Sequence, residues 1–154
     1  MNNLNYCLQD TEDKKNETNL RLNSYILSNI EQYNDFFGHV AFILSLNLKK
    51  IIYVGKSKAL PNYGNNYGIC SIHAEINALR NLKNDNDYYN LLVFRWNRNK
   101  QLAMSKPCLN CLKIIKKNKI NKVLYSIDDG IVITYLENLQ LKDANLSSGF
   151  KYKK

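Results

Sequence analysis

The chain has 154 residues, 45% of them hydrophobic and 11% aromatic, which is enough for one domain with an ordinary buried core. This composition excludes a disordered or fibrous protein. The formal net charge of +9 rests on 18 Lys and only 4 Arg, beside 24 Asn. This bias towards Lys and Asn is typical of an AT-rich genome. Arg, the preferred reader of phosphates, is scarce, so nucleic-acid binding stays open only as an alternative.

The N-terminal segment is polar and lacks the apolar region of a secretory signal. The sequence also has no apolar run of 18 residues, so we expect no transmembrane helix, no membrane partner and a cytoplasmic location. Residues 1–18 are predicted to be a polar leader, 19–140 the folded domain and 141–154 a polar tail.

Hydrophobic residues at helical spacing predict a first helix over 19–33. The apolar run 40–44 and the segment 51–54, joined by a turn, predict a β-hairpin. Residues 55–69 contain three Gly and three Asn and are predicted to form a loop. Loops of this length in compact domains usually have a function.

Ser71 is expected to cap a second helix that runs to about Leu82. Residues 89–96 are rich in residues that favour strands. Pro107 is expected in the first turn of a third helix that ends near Lys117, because Pro is tolerated at that position.

The last two strands are predicted at 122–127 and 131–135, with a short helix after Glu137. Parallel strands need a crossover of a dozen or more residues, so these two must form an antiparallel hairpin. The order α-ββ-α-β-α-β-β predicts an α/β fold, a three-layer α/β/α sandwich with a five-stranded mixed sheet.

Two short motifs carry the chemistry: H-A-E at 73–75 and, after 31 residues, P-C-L-N-C at 107–111. Both are predicted at helix N-termini. Cys108 and Cys111 are three residues apart and share one helix face, where the helix dipole favours their thiolates. His73 and these two cysteines would leave one tetrahedral position of a zinc ion open, which is typical of catalytic zinc sites.

Glu75 lies two residues after His73 and points to a different side of the helix, so it is placed beside the metal without ligating it. Zinc lowers the pKa of a bound water molecule towards about 7. Glu75 is predicted to take a proton from that water and pass it to the substrate, acting as base and then as acid.

The segments SIHAEINAL and SKPCLNC resemble the cytidine/deoxycytidylate deaminase superfamily of zinc-dependent deaminases, which share an H-x-E…P-C-x-x-C signature. The resemblance covers about residues 38–136. It implies the cytidine deaminase-like fold, a Zn²⁺ cofactor on His73, Cys108 and Cys111, and Glu75 as the catalytic group. It also implies attack of hydroxide on the amine-bearing ring carbon and release of ammonia.

The predicted terminal hairpin resembles free cytidine deaminases, blasticidin-type deaminases and some toxin deaminases. The leading hypothesis is therefore a hydrolase of pyrimidine metabolism that converts cytosine to uracil in a cytidine or deoxycytidine nucleoside or nucleotide. The resemblance implies an Asn in the loop before H-A-E, and Asn62 has a matching spacing. The candidate substrate-binding residues are Asn62, Ala74, Ser105 and Trp96.

Two alternatives stay open. The same chemistry on single-stranded DNA or RNA would explain the basic charge and the loop aromatics, and a catalytically silent zinc-binding scaffold would explain the motifs alone.

His39 is expected to be a core or edge histidine, and Arg95 and Arg98 are expected to be solvated charges, with phosphate binding as the alternative. The resemblance also implies that copies of this chain associate into a homo-oligomer.

Overall fold

The computed structural model describes residues 8–10, 22–59, 71–82 and 87–144. The five strands and three helices that the sequence predicts are all present, and short strands and 3₁₀ turns are added to them. In chain order the strands and helices are β1 (Leu8–Asp10), α1 (Ser24–Glu31), β2 (Gly38–Leu44), β3 (Ile51–Lys56), β4 (Lys58–Ala59), β5 (Ser71–Ile72), α2 (Ala74–Leu79), β6 (Tyr89–Trp96), α3 (Leu109–Ile115), β7 (Ile120–Ile127) and β8 (Gly130–Tyr135).

The main sheet has six strands in the order β1-β8-β7-β6-β2-β3. Strand β2 is antiparallel to both β3 and β6, whereas β6 and β7 are parallel and joined through α3. The mixed sheet and the antiparallel β7–β8 hairpin are as predicted, since only Asp128 and Asp129 separate the two strands. Strand β1 was not predicted: part of the polar leader pairs in parallel with β8 at the sheet edge.

Successive side chains of a strand point to opposite faces of the sheet, so the hydrophobic residues of the strands form two cores, one on each side. One core contains Phe42 and Phe94 and is covered by Ile26 and Ile30 of α1. The other contains side chains of α2 and α3, among them Cys111. The predicted three-layer α/β/α sandwich is confirmed, and the two helices that carry the motifs lie on the same face.

Three predicted helix starts were wrong by a few residues. Helix α1 begins after Asn23, whose Oδ1 accepts a hydrogen bond from the backbone N–H of Ile26 at 2.9 Å. Ser71 caps no helix, because it pairs with Ala59 in the small β4–β5 sheet. Pro107 precedes α3, since Cys108 is the N-cap of that helix.

After β8 the chain forms two short 3₁₀ turns, Leu136–Asn138 and Leu141–Asp143, in place of the predicted short helix. The Lys116 Nζ atom, beyond the last turn of α3, donates a hydrogen bond to the carbonyl oxygen of Leu136 at 3.1 Å. None of the helices in the described ranges is long and apolar enough to cross a membrane.

Candidate active site

The two motifs meet where the N-termini of α2 and α3 lie side by side. His73 is the N-cap of α2 and Cys108 is the N-cap of α3, with Cys111 one turn further on. The Nδ1 atom of His73 lies 3.2 Å from the Sγ atom of Cys111 and 3.5 Å from that of Cys108. One ligand atom from each residue lies within 4.8 Å of the other two, so this cluster forms a candidate metal centre.

The cluster fits a tetrahedral zinc ion in both its donors and its spacing. Zn–S bonds of about 2.3 Å and Zn–N bonds of about 2.0 Å at tetrahedral angles place nitrogen and sulfur about 3.5 Å apart. The His73–Cys108 distance of 3.5 Å matches this value, and the His73–Cys111 distance of 3.2 Å is slightly shorter. Two thiolates and an imidazole are soft donors that suit zinc better than magnesium or calcium.

The side chain of Glu75 is buried next to the cluster. Glu75 lies in the first turn of α2, and its Oε2 atom is 3.6 Å from the Sγ atom of Cys111 in α3. Burial raises the pKa of this carboxyl group above its ordinary value. A carboxyl group with a raised pKa holds a proton more readily than an ordinary one, which suits a group that must act as base and then as acid.

The two cysteines differ in acidity, and Cys108 is the more acidic of the two. The hydrogen bond from the Cys111 thiol lowers the pKa of Cys108 to about 4, with His73 adding to the effect. The same bond and burial raise the pKa of Cys111, and the hydrogen bond with Cys108 raises the pKa of His73. A bound metal ion would favour both thiolates, because a coordinating thiol is deprotonated.

Glycine at position 55 lets α2 come close enough to the sheet to place its N-terminus. A Cβ atom on Gly55 would lie 2.7 Å from the carbonyl oxygen of Ala74 and would also collide with the backbone nitrogen of Ala78. The side-chain amide of Asn77 donates a hydrogen bond to the carbonyl oxygen of Lys56 at 3.0 Å and ties the helix to the end of β3.

A pair of buried serines fixes the approach to α3. The hydroxyl of Ser105 donates to the carbonyl oxygen of Val93 at 2.8 Å and accepts from the backbone N–H of Ser126 at 2.7 Å. The hydroxyl of Ser126 lies 2.7 Å from the carbonyl oxygen of Ala103 and 2.9 Å from the Ser105 hydroxyl. These bonds hold the chain three residues before Cys108 on the ends of β6 and β7.

The predicted substrate-binding residues have different positions. Ser105 is buried in the bonds just described, and Ala74 is buried between His73 and Glu75. Trp96 is not brought to the cluster: it packs in the α1 core on the other face of the sheet, where its ring stacks with Phe94 at a centroid distance of 6.5 Å. Asn62 lies outside the described residues.

Two polar residues of this region were not among the predicted site residues. His39 and Arg95 are directly opposite each other in the β2–β6 pair. They share the face of Ala41 and Val93, which belong to the core under α2 and α3. The strand periodicity holds this signal, because His39 lies two residues before Ala41, and Arg95 two residues after Val93.

The sequence matches no protein-family model and no curated protein sequence. Among solved structures, the chain is similar to the crystal structure of the apo form of dCMP deaminase from the cyanophage S-TIM5. The two share 19% sequence identity with a TM-score of 0.43, over 67% of this chain and 83% of the other.

Proposed function

We propose that this protein is a zinc-dependent hydrolytic deaminase that converts cytosine to uracil in a cytidine or deoxycytidine nucleoside or nucleotide. The observation that carries the proposal is the buried Glu75 carboxyl group, with Oε2 3.6 Å from the Sγ atom of Cys111, beside a cluster of three residues that could hold a metal ion. A purely structural zinc site is usually closed by four protein ligands and needs no buried acid beside it.

His73, Cys108 and Cys111 would hold the zinc ion, which supplies a Lewis acid that makes water a nucleophile near neutral pH. Glu75 accepts a proton from the attacking water and delivers it to the ring nitrogen next to the amine-bearing carbon. It then transfers the second proton of that water to the leaving amine. The C–N bond breaks as the C=O bond forms, so cytosine and water give uracil and ammonia.

Burial of Glu75 serves this proton transfer. Burial keeps bulk water away from the carboxyl group and raises its pKa, so that a proton taken from the attacking water stays in the site for transfer to the substrate. A pair of free cysteines in a C-x-x-C motif is more typical of a reducing compartment, which agrees with the expected cytoplasmic location.

The test incubates the zinc-loaded protein with cytidine, deoxycytidine, their monophosphates and a single-stranded oligonucleotide that contains cytosine. Uracil products and ammonia are measured, with Glu75→Gln as the control. This variant keeps the side-chain shape but cannot carry the proton. We expect turnover of a nucleoside or mononucleotide and a fall of about 10²–10⁴-fold in kcat for the variant.

The alternatives give different outcomes. Turnover of the oligonucleotide alone would assign the protein to nucleic-acid editing, and its binding would weaken steeply with salt. Zinc binding without any turnover would contradict the proposal and favour a catalytically silent zinc-binding scaffold. Equal rates for the parent and for Glu75→Gln would contradict the role given to the carboxyl group.

A further inference from the structure

The carboxyl end of β6 brings a cationic side chain to the face of the sheet that carries the cluster. Arg95 lies two residues beyond Val93, a strand distance of about 6.8 Å. Val93 and Cys111 belong to the same hydrophobic core, and the carbonyl oxygen of Val93 accepts the hydrogen bond from Ser105. Strand alternation therefore places Arg95 on the face of the sheet that carries the cluster, and Arg95 is not one of the cluster's residues.

The backbone of Arg95 is held firmly although its side chain is exposed. The backbone N–H donates to the Ser126 hydroxyl at 3.1 Å, and the carbonyl oxygen accepts from the N–H of Ala103 at 3.0 Å. A side chain on such a rigid strand end is suited to recognition, because little of its backbone has to be ordered on binding.

The guanidinium group of Arg95 is available to an anion. Among the described residues, no carboxylate forms an ion pair with it. Asp128 and Asp129 lie in the turn at the same edge of the sheet, where both are exposed. The side chain opposite Arg95 is His39, which is not an acid and cannot neutralise the guanidinium.

His39 borders the same space. Burial, followed by the nearby charges of Arg95 and His73, lowers its pKa to about 4, so the imidazole is neutral at neutral pH. A neutral imidazole has one donor and one acceptor nitrogen. Together the two side chains offer a charged fork and one neutral donor beside the cluster.

We propose that Arg95, with His39 beside it, binds a phosphate group of the substrate, so that the natural substrate is a cytosine nucleotide and not a free nucleoside. This inference rests on the proposed deaminase function. A guanidinium binds phosphate oxygens through two parallel hydrogen bonds. The phosphate of a nucleotide is separated from its base by the sugar, which agrees with a cation beside the cluster and not within it.

The experiment compares Arg95→Gln with the matched control Arg80→Gln. Arg80 is an exposed arginine at the C-cap of α2, the opposite end of the helix from His73. The readout is the ratio of kcat/KM for cytidine monophosphate to kcat/KM for cytidine, with the deoxy pair measured in the same way. We expect Arg95→Gln to lower this ratio at least tenfold through KM, Arg95→Lys to restore part of it, and Arg80→Gln to keep it.

A second measurement separates this inference from the proposed function. Calorimetry with uridine monophosphate and uridine reports binding without turnover. If the parent deaminates cytidine as well as its monophosphate, the deaminase function stands and the phosphate subsite is refuted. If the parent deaminates nothing, the deaminase function fails, and tighter binding of the monophosphate that is lost in Arg95→Gln still supports the subsite.

The source of the phosphate is decided by a single-stranded oligonucleotide as a third substrate. Turnover of the oligonucleotide that falls with Arg95→Gln, together with poor use of the mononucleotide, identifies a phosphodiester as the bound group. An equal loss on nucleoside, nucleotide and oligonucleotide would refute the subsite, because it would mean that Arg95 acts on the fold and not on phosphate.

Discussion

The backbone of Gly55 lies against the carbonyl oxygen of Ala74, with no space for a side chain between strand β3 and helix α2. This contact sets the height of the helix above the sheet. Since His73 and Glu75 flank Ala74 in the chain, the same contact also sets the position of the proposed metal ligand His73 and of the proposed proton carrier Glu75.

The Gly55→Ala substitution is therefore expected to push α2 away from the sheet. We predict a loss of about 1–3 kcal/mol in the free energy of unfolding, measured by urea denaturation. We also predict that the free energy of zinc binding falls by more than the free energy of unfolding. Gly38→Ala is the control, because a Cβ atom there would meet the side chains of Ser57 and Phe36, which can move. Equal effects of the two substitutions would contradict the role of Gly55.

Removal of either cysteine ligand should abolish tight metal binding. We predict that Cys108→Ser and Cys111→Ser each lower zinc affinity by more than about 100-fold, since even the loss of a residue that only supports a ligand costs up to that much. Competition with a chromophoric chelator measures the affinity. Cys7→Ser, a cysteine outside both motifs, should leave it unchanged. Zinc retained by Cys108→Ser would rule out this thiolate as a ligand.

The buried hydroxyl pair should stabilise the segment before α3. Replacing Ser126 by Ala leaves the Ala103 carbonyl oxygen and the Arg95 N–H without this partner. The expected cost is about 1–3 kcal/mol in the free energy of unfolding. Ser28→Ala is the control, because that hydroxyl is exposed and bonds only the Tyr25 carbonyl oxygen on its own helix. A cost below that of the control would show that the network adds nothing.

His39 is expected to stay neutral well below neutral pH. The chain has two histidines, so NMR of the imidazole protons, with His39→Gln for assignment, follows each one separately. We predict no titration of His39 until the pH approaches about 4, because burial and then the charge of Arg95 lower its pKa. Titration near 6.5 in the folded protein would contradict the buried environment.

The same shift has a consequence for stability. The unfolded chain takes up a proton on His39 as the pH falls below about 6.5, whereas the folded protein does so only near 4. The unfolded state therefore binds more protons in this interval, and the contribution of His39 to stability declines as the pH falls through it. His39→Gln should show a flatter decline over the same interval.

The sequence was sufficient for the parts of the molecule that depend on local pattern. The spacing of the H-A-E and P-C-L-N-C motifs predicted the cluster and the acid beside it, and the two-residue turn at Asp128 and Asp129 predicted the antiparallel hairpin. Both signals are short-range, since they depend on helix geometry and on the length of a crossover.

Other features depend on contacts between distant segments. Ser71 has the character of a helix cap, but its pairing with Ala59 overrides that tendency. Strand β1 lies in a polar segment and exists through its pairing with β8. Trp96 lies on the face of the sheet that α1 covers, and not on the face of the cluster. Strand periodicity shows which residues share a face, but it does not show which helix covers that face.

The antiparallel direction of β8 determines where a protein fused after Ala144 would be attached. Strand β7 runs towards the edge that carries Ser126 and the His73–Cys108–Cys111 cluster, and β8 returns to the opposite edge, where Tyr135 pairs with Lys122. The next described segment, up to Ala144, stays with the far end of α3. A reporter joined after this segment would therefore be attached away from the edge of the sheet that carries the His73–Cys108–Cys111 cluster.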